Sequence, residues 1–183
     1  MTRRLLIGLT GRAGTGKSTV ARILEEECSF REIALTDPIR DMAAALLAVA
    51  GIPPGWIEDR ALKELPTALG VSYRQIAQTL GTQWGRERLL PDLWLRVAAL
   101  RLEQCPGDDV VITDVRFPNE AEWLAARGGH LVRVVRDTRP VRPHESESHT
   151  DTLPVITELL NFGSPATLLD QVIRLVDHLR TLP

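Results

Sequence analysis

Short strand-like stretches rich in apolar residues alternate along this chain with longer stretches where apolar residues return every three or four positions. The first kind predicts buried parallel strands and the second predicts amphipathic helices. Residues 5–9, 30–35, Val110–Thr113, His130–Val135 and 155–160 are the strand candidates. After the first of them the pattern predicts a helix ending near Cys28. A second covers 38–50, begun by Thr36-Asp37-Pro38 and stopped by Gly51 with Pro53-Pro54, and a weaker one covers 56–65. Ser72 is a good N-cap for a helix over 73–80 with Gly81 as its stop, and Asp92 caps another reaching about Gln104. A helix over 119–127 closed by Gly128-Gly129, and a last one opened by Ser164-Pro165, complete the set. Residues 136–152, polar and interrupted by Pro140 and Pro143, read as a loop.

Strands alternating with helices predict an α/β domain in three layers, a mainly parallel sheet with helices on both faces. At 183 residues, with no repeat and no linker, the chain reads as one domain with a sizeable core. In such sheets ligands bind outside the carboxyl ends of the strands. That rule gathers Gly11 to Ser18, Asp37, Asp114, Arg116 and Arg136 onto one edge.

The first strand runs into Gly11-Arg12-Ala13-Gly14-Thr15-Gly16-Lys17-Ser18, followed by Thr19. This is the P-loop pattern in its strand, loop and helix setting. Glycines let backbone N–H groups curl round phosphate oxygens, and the helix behind aims its positive end at the same anion. Lys17 can reach the β- and γ-phosphates, and Ser18 can ligate Mg²⁺. The pattern predicts binding of a nucleoside triphosphate.

Composition narrows the class only a little. Apolar residues make up 44% and charged residues 25%, ordinary for a globular protein. The net charge of −2 gives no global basic field for nucleic acid. The longest apolar run, 42–50, is too short to span a bilayer, and the chain enters a strand at once with no secretory signal, so a cytoplasmic location is expected. Cys28 and Cys105 are far apart and read as thiols, and His144 and His149 match no zinc spacing.

Further candidates follow from position. Asp114, directly after an apolar strand, stands where a Walker-B-type acid would hold Mg²⁺, and Arg116 two residues on can clamp a phosphate. Arg136, Arg139 and Arg142 lie close together among prolines, either as a solvated basic turn or as a lid that brings positive charge to a transferring phosphoryl group. Asp37 can contact substrate or a metal-bound water, or serve only as an N-cap, and Arg40 lies one turn along. Arg74 and Gln78 can line an acceptor pocket or face solvent. Of the tryptophans 56, 84, 94 and 123, most serve the core and one could stack on a base.

Together these residues resemble the bacteriophage-type deoxynucleoside monophosphate kinases. The matching strings are Ile7 to Gly11, Ala34 to Arg40, Gln78-Thr79-Leu80-Gly81-Thr82-Gln83-Trp84-Gly85-Arg86 with Asp92-Leu93-Trp94, and Asp114-Val115-Arg116-Phe117-Pro118-Asn119-Glu120-Ala121. His144 to Glu147 and Asn161-Phe162-Gly163-Ser164 add to them, so the likeness covers nearly the whole chain. It implies a P-loop NTPase fold of the nucleoside-monophosphate-kinase type, a single domain with a helical acceptor-binding insertion over 36–95 and a short arginine-rich lid over 136–152. It also implies transfer of the ATP γ-phosphoryl group to a deoxynucleoside 5′-monophosphate, with Mg²⁺. Lys17, Asp114, Arg116, Arg136 and Arg139 would then be catalytic. Gly11, Ala13, Gly14, Thr15, Gly16, Lys17, Ser18, Thr19, Asn161, Gly163 and Ser164 would bind ATP. Asp37, Arg40, Arg74, Gln78, Trp84, Arg86 and Arg116 would bind the acceptor. Partners would be small nucleotides, with no nucleic acid and no membrane, and pairing into a homodimer is left open. The lid departs from the family pattern, being short and broken by Pro140 and Pro143. A kinase resembling dephospho-coenzyme A kinase shares the P-loop, an early Asp and a basic lid, and is the nearest alternative. A partner-stimulated ATPase is a more distant one.

Overall fold

The computed structural model describes residues 4–136 and 150–182. Leu6–Thr10 (β1), Arg31–Ala34 (β2), Val110–Thr113 (β3), His130–Val135 (β4) and Thr157–Leu160 (β5) form one sheet. The strand order is β2-β3-β1-β4-β5, and every neighbouring pair is parallel. All residues of β1 and β3 are buried, which explains why they read as continuous apolar runs rather than as an alternation.

The helices are Lys17–Cys28 (α1), Asp37–Val49 (α2), Gly55–Glu58 (α3), Tyr73–Gln78 (α4), Leu93–Glu103 (α5), Pro118–Ala125 (α6) and Pro165–Thr181 (α7). Val20, Ala21 and Leu24 of α1 meet Leu168, Val172, Val176 and Leu179 of α7 over Ile7, Leu9, Val111, Val132 and Val134. Burying each such valine or leucine contributes about 1.5–3 kcal/mol. Helix α6 covers the opposite face, since a methyl group on Gly8 would stand 2.4 Å from Leu124 Cδ2. The chain divides into two compact units, Met1–Leu35 with Ala98–Pro183, and Thr36–Val97. The sheet, α1, α6 and α7 belong to the first.

The second unit has its own core of Ala43, Leu47, Ile52, Ile57 and Ile76, with Trp56, Tyr73 and Leu80 against it. Two sequence expectations fail here for local reasons. The helix expected over 56–65 is split into α3 and a 3₁₀ turn, Leu62–Glu64. Asp59 lies between them in extended conformation, and its carboxylate accepts the N–H groups of Ala61 (2.7 Å) and Leu62 (2.9 Å), so a new turn starts instead of the old one continuing. Nor does Gly81 stop the helix begun by Ser72. The chain continues from α4 into a wide π-helix, Thr79–Leu89.

The reason is a seat for Trp94, which is 3% exposed. Its indole Nε1 donates to the Gly81 carbonyl at 2.8 Å, and a methyl group on Gly85 would stand 2.4 Å from ring atom Cζ2. Both glycines are buried, and at position 85 the bare Cα makes room for the ring. Gly85→Ala is expected to lower the stability of the second unit by about 1–3 kcal/mol, the cost of overpacking, read as a lower denaturant midpoint. An unchanged midpoint would mean that the ring is not seated against this glycine.

Candidate active site

The sheet directs the loop after β1 into a crevice. Helix α1 carries the chain from β1 to β2 on one side, and α6 carries it from β3 to β4 on the other side of β1. The connections therefore diverge between β1 and β3, the switch point at which open parallel sheets bind ligands. Gly11, Gly14 and Gly16 have φ of +136°, +81° and +104°, backbone that L side chains rarely adopt. A methyl group on Gly11 would also stand 2.5 Å from the Val134 carbonyl oxygen. Thr15 is buried and its hydroxyl donates to the Arg12 carbonyl at 2.9 Å. Lys17 Nζ donates to the carbonyls of Gly11 (2.7 Å) and Arg12 (3.0 Å), which draws the ammonium in over the loop. Ala13, Gly14 and Ser18 are exposed and Thr19 is half-buried. No side chain caps α1 and no acidic residue sits in its first turn, so its N-terminus offers a place for an anion.

Asp114 follows β3 directly, with φ of +64°, and its Oδ1 lies 3.3 Å from an Arg116 guanidinium nitrogen. A non-glycine residue in this region costs about 1–3 kcal/mol and persists only when its neighbours hold it. They do so here. Val115 N–H donates to the Leu9 carbonyl at 3.1 Å, tying the turn to β1. The N–H groups of Arg116 and Phe117 donate to one carboxylate oxygen of Glu120 at 2.6 and 3.0 Å. Glu120 is 2% exposed and sits in the first turn of α6. The sequence carries a signal for it, since an acid two residues after Pro118 at a helix start is half of a capping box.

Arg136 is exposed directly after β4. Arg139, Arg142, His144 and His149, with most of the expected lid, lie outside the described residues. Where the described chain resumes, Arg133 donates to the carbonyls of Thr150 (3.3 Å) and Leu153 (2.8 Å) and to Glu158 (2.7 Å). Asp151 pairs with Arg12 of the loop. Both partners are exposed, so the pair is worth little on its own. Asn161 follows β5, and its side-chain amide donates to the Thr15 carbonyl at 2.9 Å. Gly163 is exposed, and Ser164 caps α7 by accepting the Thr167 N–H at 3.2 Å.

The remaining predicted residues belong to the second unit. Asp37 is the first residue of α2, and the cap position expected for it is taken by Thr36. Arg40 and Arg74 are exposed, with Arg74 paired to Glu64. Gln78 and Arg86 are half-buried, and Trp84 is 40% exposed with its ring centroid 6.4 Å from that of Trp94. Lys63 was not marked by the sequence, because it falls in the weakly patterned stretch split at Asp59. Its ammonium lies 5.8 Å from the Tyr73 ring centroid. Burial, then the Arg40 and Arg74 guanidinium groups, hold it below the usual lysine range. Arg40, Lys63 and Arg74 thus place three cationic side chains near one another on one unit. At the Asp114 turn, Glu120→Ala is expected to cost about 1.5–3 kcal/mol for each charged hydrogen bond removed and to lower the melting temperature more than Glu120→Gln. Equal melting of both variants and the parent would show that the carboxylate does not hold the turn.

No protein-family model matches the chain. Over 158 residues it is 30% identical to a protein of Acanthamoeba polyphaga mimivirus that carries the provisional name deoxynucleotide monophosphate kinase, covering 74% of this chain and 79% of that one. Over 181 residues it is 24% identical to the deoxynucleoside-5′-monophosphate kinase of Escherichia phage T5, covering 66% of this chain and 71% of that one. Among solved structures, the shikimate kinase of Aquifex aeolicus superposes with a TM-score of 0.52 at 14% identity, over 95% of this chain and 97% of that one, a likeness of fold alone. The three-layer architecture is that of a P-loop kinase, and the chain belongs to the deoxynucleotide monophosphate kinase family.

Proposed function

We propose that the protein transfers the γ-phosphoryl group of ATP to a deoxynucleoside 5′-monophosphate, giving the diphosphate and ADP. The observation that carries this reading is the left-handed glycine loop at the β1–β3 crevice, in front of an uncapped helix, in a chain of this family. The bare Cα positions suit a polyphosphate, and Gly11, Ala13, Gly14, Thr15, Gly16, Lys17, Ser18 and Thr19 would surround it. Mg²⁺ would be held by Ser18 and Asp114 together with phosphate oxygens, the usual arrangement for this ion; it would neutralise charge on the triphosphate. Arg116, Arg136 and Arg139 would add positive charge around the phosphates. Asn161, Gly163 and Ser164 complete the donor side.

The acceptor would be read by Asp37, Arg40, Arg74, Gln78, Trp84 and Arg86, with Arg116 available to a phosphate. Lys63 joins this set, since a cation crowded by two guanidinium groups gains most from an anion beside it. The attacking group is a phosphate oxygen that is already anionic near neutral pH, so positioning and charge neutralisation carry the catalysis. No described helix is long and apolar enough to cross a membrane. The ligands in this reading are small nucleotides rather than nucleic acid.

An ADP-release assay across all ribo- and deoxynucleoside monophosphates is expected to give turnover with at least one deoxynucleotide. Lys17→Ala should then lose about 100-fold or more in kcat/KM, as when a preorganised donor is removed from a charged transition state. Turnover of dephospho-coenzyme A with none of any deoxynucleotide would sink the proposal. Lys63→Met is expected to raise KM for the acceptor by about tenfold, the scale of one hydrogen bond to a charged group, while KM for ATP holds. An unchanged acceptor KM would remove Lys63 from the site.

A further inference from the structure

Asn161 stands in an unusual relation to the phosphate loop. Its backbone N–H donates to the Val135 carbonyl at 2.8 Å, which continues the β4–β5 ladder one step past β5 and fixes the residue at the sheet edge. From there its side chain crosses to the loop, where Nδ2 donates to the Thr15 carbonyl at 2.9 Å. The partner is a carbonyl oxygen, so the atom facing it must be the amide nitrogen, and the amide orientation follows. A methyl group on Gly16 would stand 2.3 Å from this nitrogen. The amide therefore lies directly over Gly16, in space that only glycine leaves. Thr15 is held on its other side by its hydroxyl bond to the Arg12 carbonyl. The peptide between Thr15 and Gly16, which leads into Lys17, is thus clamped from one side by the loop itself and from the other by β5.

We propose that Asn161 is a positioning residue for the phosphate loop: its amide fixes the Thr15–Gly16 peptide, so the residue acts on the polyphosphate of any donor, whatever base that donor carries. This rests on the triphosphate reading of the loop but not on the identity of the acceptor. It deepens the expectation that Asn161, Gly163 and Ser164 bind ATP, by giving Asn161 a task at the polyphosphate rather than at the base.

The two tasks respond differently to a ligand without a base. Inorganic tripolyphosphate presents phosphate oxygens and nothing else. Binding of Mg·ATP, Mg·GTP and Mg·tripolyphosphate to the full chain is measured by titration calorimetry with no acceptor present. Asn161→Ala removes one hydrogen bond and is expected to weaken all three by a common factor of about five to ten, with the ATP-to-GTP ratio unchanged. Asn161→Asp, which sets a carboxylate against the Thr15 carbonyl, should weaken all three further. Melting curves of both variants show whether they fold, and Asn161→Ser supplies a smaller donor if Asn161→Ala does not. Weakened ATP with unchanged tripolyphosphate would overturn the proposal in favour of a base contact. No change in any of the three would overturn it outright, as would a parent chain that binds neither ATP nor tripolyphosphate. Because no acceptor is present, a failure of deoxynucleotide turnover leaves this experiment readable, and the two claims fall separately.

Discussion

The loop between β1 and α1 can exist only because three of its residues carry no Cβ. Gly11, Gly14 and Gly16 hold left-handed backbone, and Gly11 passes beneath the Val134 carbonyl where a methyl group has no room. Everything around the crevice is arranged against that thin strip of main chain. β4 presses on its start, Asn161 presses on its end, and Lys17 folds back over its carbonyls. The strip is consequently held by hydrogen bonds at several points although it has little side-chain packing of its own. A phosphate site needs this combination, because donors fixed in advance need not be ordered when the charge develops.

A second constraint lies just past the end of β3, the strand beside β1. Asp114 occupies backbone that favours glycine, and the turn that contains it is secured by the buried carboxylate of Glu120 and by the Val115 bond to β1. Stability is given up at one residue so that an acid and an arginine point from a fixed turn. The second unit handles charge differently. There burial, and then the Arg40 and Arg74 guanidinium groups, hold Lys63 below the usual lysine range, while Glu58 acts in the opposite direction and Glu64 pairs with Arg74.

How far the sequence could be read followed from which forces acted locally. The two fully buried strands, β1 and β3, were legible because burial on both faces demands apolar runs, and Val110–Thr113 and His130–Val135 match the expected bounds. Ser72, Ser164 and Gly128-Gly129 acted as caps because capping is a short-range bond between near neighbours. Gly81 misled because a glycine in a helical pattern has two meanings, a stop or a close approach, and the deciding partner, Trp94, is thirteen residues away. Lys63 was invisible for a related reason. Its neighbours Arg40 and Arg74 are brought to it by tertiary packing, and no spacing along the chain announces it. Glu120 and the Asn161 clamp fell between these cases, since Glu120 bonds within its own string, Asp114 to Ala121, whereas Asn161 meets Thr15 of a string 146 residues away.

The sheet's two borders have a consequence of another kind. Among the described residues β2 and β5 each pair with one strand only, and parallel edges left bare are templates for unwanted strand addition. Both are only four residues long. β2 carries Arg31 and Glu32 and β5 carries Glu158, so an incoming strand would meet charge on either border. Brevity and charge at the margins make either border a poor template for strand addition, while the carboxyl ends of the strands stay the edge at which open sheets bind ligands.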